Sequence, residues 1–322
     1  MKRSKTVTVE GVCAAMEELA PPHLNFSWDK GGLMVGNPSV EVHCVLVALT
    51  VSGDVVREAV RRRADMIVSH HPLIWEPLSS LRWDEPKSRV CLELATAGIA
   101  CYSAHTCLDV AVDGVNDVLA RKIGLQDIMP MFTVPQSRQV KLVTFVPESH
   151  LDSVRSAVCQ AGAGVIGEYT YCSFSTAGVG TFMPSDKANP FSGKKKQLNE
   201  EPERRFEVIL LEGDLARVLA ALRQAHPYEE PAYDIVLLGN HDSRIALGRR
   251  GVLRESLTLA AFAERLTQLL DVSAVRVVGD ARKLVRHVGV IGGSAGTYLK
   301  DTPKDVDVMV TGDVRYHDAL DA

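Results

Sequence analysis

The chain has 322 residues, 46% hydrophobic and 24% charged, with a formal charge of −4. That length suffices for two or three domains with a substantial core, and the composition is that of a soluble globular protein. The charge balance argues against a general nucleic-acid or membrane-surface binder, and no apolar run reaches the ~20 residues of a membrane span.

The basic start Met1-Lys2-Arg3-Ser4-Lys5 is followed by no apolar run of the kind a signal peptide carries. Seven cysteines, an odd number with no CxxC pair, read as reduced thiols packed in apolar stretches. A cytoplasmic protein is expected.

Residues 8–19 have helical apolar spacing, with Thr8 as a cap and Pro21-Pro22 as a stop. The stretch from Trp28-Asp29 to Gly36-Asn37-Pro38 reads as a structured loop around a short apolar strand. Asp29 is either a site residue or a turn residue, and the turn reading is favoured. Residues 44–49 form a continuous apolar strand and 54–63 a helix, acidic at its start and arginine-rich at its end.

Then comes Ala64-Asp65-Met66-Ile67-Val68-Ser69-His70-His71-Pro72. Its apolar run is too short for a helix and matches a strand buried on both faces, ending at or before the histidines. Residues 90–95 are helical and 99–104 a further strand, leading into His105 and Asp109. Helix 114–123 follows. This alternation predicts a parallel sheet.

Around Pro135 the character changes. Strand 140–146, helix 149–160, antiparallel strands within 164–182, strand 206–211, helix 215–224 and strand 232–238 give the order βαββαβ, a ferredoxin-like α+β unit. Residues 183–205, with Lys194-Lys195-Lys196, read as a mobile surface loop whose lysines are more readily a solvated face than an anion site. The unit is an inserted domain at 135–244, between core segments 1–134 and 245–322.

Helix 258–270 and strands 275–278 and 287–291 lead to the loop Gly292-Gly293-Ser294-Ala295-Gly296. Close backbone packing explains that loop better than phosphate binding, since it lacks the GxGxxG spacing. Asp307-Val308-Met309-Val310-Thr311-Gly312-Asp313 echoes Asp65–His71, so the core reads as two pseudo-repeated α/β halves. A helix begins at Tyr316.

Parallel strands align their carboxyl ends on one edge, where ligands bind. His70-His71, His105 with Asp109, the glycine loop, and Asp313 with His317 all fall at strand ends. Imidazole with carboxylate suits Zn²⁺, Mn²⁺ or Fe²⁺, and two ions ~3.5–4 Å apart share a water. An isolated His-His-Pro is more simply a turn pair, but repetition of the chemistry favours metal. Asp109 alone is equally a helix cap. His105 is equally a core histidine or an orienting residue. No serine elbow or Walker A motif is present.

Ser69-His70-His71-Pro72-Leu73-Ile74-Trp75, Ala104-His105-Thr106-Cys107-Leu108-Asp109, Gly114-Val115-Asn116-Asp117 and Thr311-Gly312-Asp313 with His317 resemble the GTP cyclohydrolase I type 2 homologues, the NIF-three-like family. Trp28-Asp29 with Gly32–Gly36 and Gly248-Arg249-Arg250-Gly251 fit the same pattern, and His226-Pro227-Tyr228-Glu229-Glu230-Pro231 fits its PII-like or CutA-like insertion.

The resemblance implies two divalent ions per chain in a complete site (Zn, Mn or Fe) and a homohexamer. It implies His70, His71 and Asp109 as metal ligands, with His105, Asp313 and His317 as catalytic residues lining the site. Thr50 stands where members often have Asp, and the family's remaining His and Glu ligands are expected beyond residue 322. The implied activity is metal-dependent hydrolysis of GTP or a phosphoester. The alternative is a non-catalytic metal-binding or regulatory protein that senses a ligand through the PII-like unit.

Overall fold

The computed structural model describes residues 6–322, so the basic stretch Met1–Lys5 lies outside the described residues. The chain divides into two compact units: residues up to Val134 together with Ser243–Ala322, and Pro135–Asp242. No described helix is long and apolar enough to cross a membrane.

In the first unit, α1 (Val9–Leu19) starts where Thr8 Oγ1 accepts from Gly11 N at 3.2 Å, and it buries Val9 and Cys13. A four-stranded sheet follows, made of β1 (Gly32–Val35), β2 (Val45–Ala48), β3 (Met66–Ser69) and β4 (Ala100–Ser103) in the order β1-β4-β3-β2. β2, β3 and β4 are parallel, and β1 closes the sheet antiparallel to β4. Helices α2 (Gly53–Arg62) and α3 (Pro86–Ala97) connect the parallel strands, and Val56, Ala59, Ile67, Leu94 and Cys101 pack into one core.

β3 is buried at every position. β2 falls within the apolar strand expected at 44–49; it is the edge strand, and Val47 is 78% exposed. Asp65 ties β2 to the start of β3, its Oδ2 accepting from His43 N (2.7 Å) and Cys44 N (2.9 Å). Beyond β4 come α4 (Thr106–Val110), α5 (Val115–Ile123) and β5 (Gln126–Thr133). β5 has no sequence signal, because Pro130 interrupts it.

The second unit orders its elements as β6 (Arg138–Pro147), α6 (Leu151–Gln160), β7 (Ser173–Phe182), β8 (Asn199–Leu211), α7 (Leu215–Ala225) and β9 (Tyr233–His241). Its sheet runs β7-β8-β6-β9, antiparallel throughout. Val140, Leu142, Phe206, Val208 and Leu210 meet Val154, Val158, Val218 and Leu222 in its core.

Two readings are corrected here. Residues 164–182 hold one long strand, preceded by an Ile166–Tyr169 bridge. The supposed loop 183–205 is ladder from Asn199 onward, paired to β7 from Phe182↔Asn199 to Ser173↔Val208. Glu200, Glu201 and Glu203 lack the apolar alternation of a strand, and cross-strand pairing with β7 supplies the order instead.

His226 is buried in this unit, its Nε2 3.0 Å from Phe145 O and its Nδ1 accepting from Tyr228 N at 3.1 Å. Burial, outweighing the bond to Phe145, depresses its pKa below the usual histidine value of 6.5. A depressed folded-state pKa gives stability that is present above the unfolded value and lost as pH falls through the folded one. The protection factors of β6 amides, with the intrinsic pH dependence of exchange divided out, are therefore expected to fall below about pH 6.5. His226→Asn should flatten that dependence; an unchanged pH profile in the variant would exclude His226 as its source.

The chain then returns to the first unit with β10 (Ala246–Thr258), α8 (Leu259–Leu270), β11 (Leu284–Ser294), β12 (Val308–Asp313) and α9 (Tyr316–Asp321). The sheet order is β12-β11-β10-β5, parallel only between β11 and β12. Phe262, Leu266, Val288 and Val290 pack against Ala120 and Ile123. Residues 275–278, expected as a strand, are irregular: Val277 and Val278 are exposed and join no ladder. Asp307 does for β11 what Asp65 does for β2, its Oδ2 accepting from Arg286 N (2.9 Å) and His287 N (2.8 Å).

Candidate metal centre

The backbone bonding of β3 continues past its last strand residue. His70 N donates to Ala48 O (3.3 Å), His71 N to Leu49 O (2.9 Å) and Ala104 N to Ser69 O (2.9 Å). Ser69 Oγ lies 2.8 Å from Ser103 Oγ and donates to His71 O at 3.0 Å, which fixes the turn beneath the histidines. Parallel alignment of β3 and β4 then carries His105 to the same edge.

Three imidazoles converge there. One ligand atom from each of His70, His71 and His105 lies within 4.8 Å of the other two. Each ring is oriented by a bond at its other nitrogen. His70 Nδ1 sits 3.0 Å from Ala104 O, a carbonyl that only accepts, so Nδ1 carries the proton and Nε2 keeps a free lone pair. His105 Nδ1 faces Asp29 Oδ1 at 2.7 Å, with the same consequence. His71 Nδ1 is 2.7 Å from Thr50 Oγ1. Thr50 is thus the orienting partner of His71.

Asp29 is the residue that sequence reasoning undervalued. Its side chain is wholly buried, and its Oδ2 accepts from Thr106 N at 2.9 Å and from the Thr106 hydroxyl. Burial raises its pKa, but the bonds from His105, Thr106 and Lys30 outweigh burial and hold it at about 2. The Trp28-Asp29 pairing was the available signal; the partner lies 76 positions away in sequence.

Asp109, expected as a ligand, places Oδ1 at 3.7 Å from His70 Nε2, buried and without a hydrogen-bond partner. Burial pushes its pKa to about 7, with His105 lowering it and Asp29 raising it. Burial and then the charges of His105 and His71 depress His70 to about 4, so that ring is neutral at physiological pH. His71 is lowered for the same first two reasons, burial and His105. Three imidazoles beside an orphaned carboxyl oxygen form a donor set that fits a divalent cation.

Asp313 and His317 are exposed, on β12 and α9. Among the described residues, no hydrogen bond or ion pair joins them to the histidines. The glycine loop reaches the site indirectly: buried Asn116 accepts from Gly292 N and donates to Asp109 O, both at 2.8 Å. Close packing accounts for the loop, since a Cβ at Gly296 would stand 2.1 Å from Asp318 Oδ2. Trp28 and Trp75, half exposed, set their rings edge-on to His105 at 6.3 and 5.9 Å.

The family model DUF34/NIF3 (NGG1p interacting factor 3) matches residues 7–322. The chain belongs to the DUF34/NIF3 family. A "GTP cyclohydrolase 1 type 2 homolog" of Halalkalibacterium halodurans is 41% identical over 319 residues, covering 99% of this chain and 86% of the relative. The protein of the same name in Bacillus subtilis is 38% identical, with the same coverages of 99% and 86%. A solved Bacillus cereus protein related to NIF3 superposes with a TM-score of 0.83 at 40% identity, covering 99% of this chain and 85% of that one. All the histidines and carboxylates of the centre lie inside the span that the NIF3 model matches.

Proposed function

We propose that the chain is a divalent-metal-dependent hydrolase acting on GTP, at the guanine imidazole ring, or on a phosphoester. The convergence of His70, His71 and His105, each ring fixed at its second nitrogen, carries this reading. The names of its relatives direct the choice of GTP. Zn²⁺, Mn²⁺ or Fe²⁺ held there supplies Lewis acidity and a lowered pKa for coordinated water.

The three imidazoles would hold such an ion, and the orphaned Asp109 Oδ1 would be available as a further donor. Asp29 keeps the His105 proton on Nδ1. Trp28 and Trp75 form an aromatic wall that flanks a planar substrate ring and limits water access. The matching roles of Asp65 and Asp307 support two pseudo-repeated halves, and the sheet order of residues 135–242 supports an inserted PII-like unit.

The test uses the full chain, stripped by chelator and reloaded with each metal. Turnover of GTP or bis-p-nitrophenyl phosphate should return with metal and be lost in His71→Ala. Equal turnover by stripped protein or by the variant would end the assignment.

A further inference from the structure

A cleft of about 910 Å³ lies wholly within residues 135–242 and shares no residue with the histidine cluster. It opens on the face of the sheet turned away from α6 and α7. Strand alternation puts Phe206, Val208 and Leu210 into the core and Glu203 and Arg205 on the opposite face. The segment after β7 covers this face from above.

We infer that this cleft binds an organic cation, an ammonium group carried on an apolar body. Three observations define the ligand. First, Phe191 and Tyr228 line the cleft 5.9 Å apart at 47°, a corner of two rings not stacked on each other, with His150 edge-on to Phe191 at 5.4 Å and His226 edge-on to Tyr228 at 4.9 Å. Such a corner presents two negative π-faces to a cation. Second, a carboxylate is built into its base. Glu203 Oε1 accepts from Tyr228 Oη at 2.7 Å, and a Cβ at position 180 would fall 2.2 Å from Glu203 Oε2. A side chain at 180 would push that carboxylate aside. Third, the remaining charges favour a cation. Glu229 and Glu230 add negative charge, and Glu229 Oε1 also accepts from Asn189 N at 2.9 Å, pinning the covering segment.

Of the two basic residues in the lining, Arg205 is already held by Glu207 at 2.8 Å, which leaves Lys187 against three carboxylates. The volume and apolar walls exceed what a bare metal ion needs and match a small organic molecule.

The test is calorimetric titration of the full chain with benzyltrimethylammonium chloride, against benzyl alcohol and benzoate at matched ionic strength. Saturable binding of the cation is expected, with at least roughly tenfold weaker binding of the neutral and anionic probes. Phe191→Ala and Glu203→Gln should each weaken the cation severalfold, while His71→Ala leaves it unchanged. Phe191 is 49% exposed, so its truncation spares the fold, checked by the thermal unfolding midpoint. Absence of saturable binding, equal binding of benzyl alcohol, or indifference to Phe191→Ala would each overturn the assignment. A failed GTP assay leaves this result untouched, since the two sites share no residue.

Discussion

Arg249→Ala is expected to destabilise the unit containing the histidines by about 3–5 kcal/mol, the usual cost of leaving one member of a buried ion pair alone. Arg249 is 3% exposed. Its Nε and Nη2 clamp both oxygens of Asp117 at 2.7 Å. Nη1 donates to Ala246 O (2.8 Å) and Gly248 O (3.0 Å), while Nη2 also reaches Ala111 O (3.2 Å) and Arg244 O (3.3 Å). Removal therefore strands the Asp117 carboxylate and takes a donor from each of four carbonyls. Lysine is no substitute, because a single ammonium cannot span a bidentate carboxylate and this ring of acceptors.

All three tryptophans, Trp28, Trp75 and Trp83, lie in the same unit, so tryptophan fluorescence during denaturation reads its unfolding selectively. A loss below about 1 kcal/mol would mean that the pair contributes no more than a surface contact. The damage should extend to the metal centre. Asp117 follows Asn116, the side chain that joins Asp109 O to Gly292 N.

The histidine edge was legible because its cause is local. A short run of buried residues entering His70-His71-Pro72 has few structural solutions, and the alternation with helices implies parallel strands with aligned ends. Helix starts were equally legible where a cap does local work, as Thr8 does.

Asp29 was not, because turn chemistry and site chemistry use the same residue beside glycine, and only the fold brings Thr106 and His105 to it. β2 was legible as a strand but its exposure was not: Val45 and Val47 have strand propensity, while burial depends on what lies beyond the strand, and β2 is an edge. β8 hid behind glutamates because its first residues gain order from pairing with β7 instead of from core burial.

Within the centre, a graded loss of metal is expected. His105→Ala removes a donor and should abolish stoichiometric loading. Asp29→Asn removes no donor, yet it should weaken affinity by ~10–100-fold, the usual consequence of losing the carboxylate that orients a ligating histidine. The mechanism is specific. Asp29 is ionised, its pKa held at about 2 against burial by donors from three residues. It fixes the His105 proton at Nδ1 and raises the basicity of Nε2. Asparagine keeps the shape but loses the charge, and its amide must turn an N–H toward a site where every neighbour donates.

Competition with a chromophoric chelator measures the affinities, and the amide spectrum of each variant reports its fold. Equal affinity of Asp29→Asn and wild type would reduce Asp29 to a structural cap for α4. Asp109→Asn separates the remaining roles. If Oδ1 is the fourth donor, affinity falls. If it is only a buried carboxyl, replacing it with a neutral amide removes a desolvated charge and raises stability while leaving metal affinity where it was.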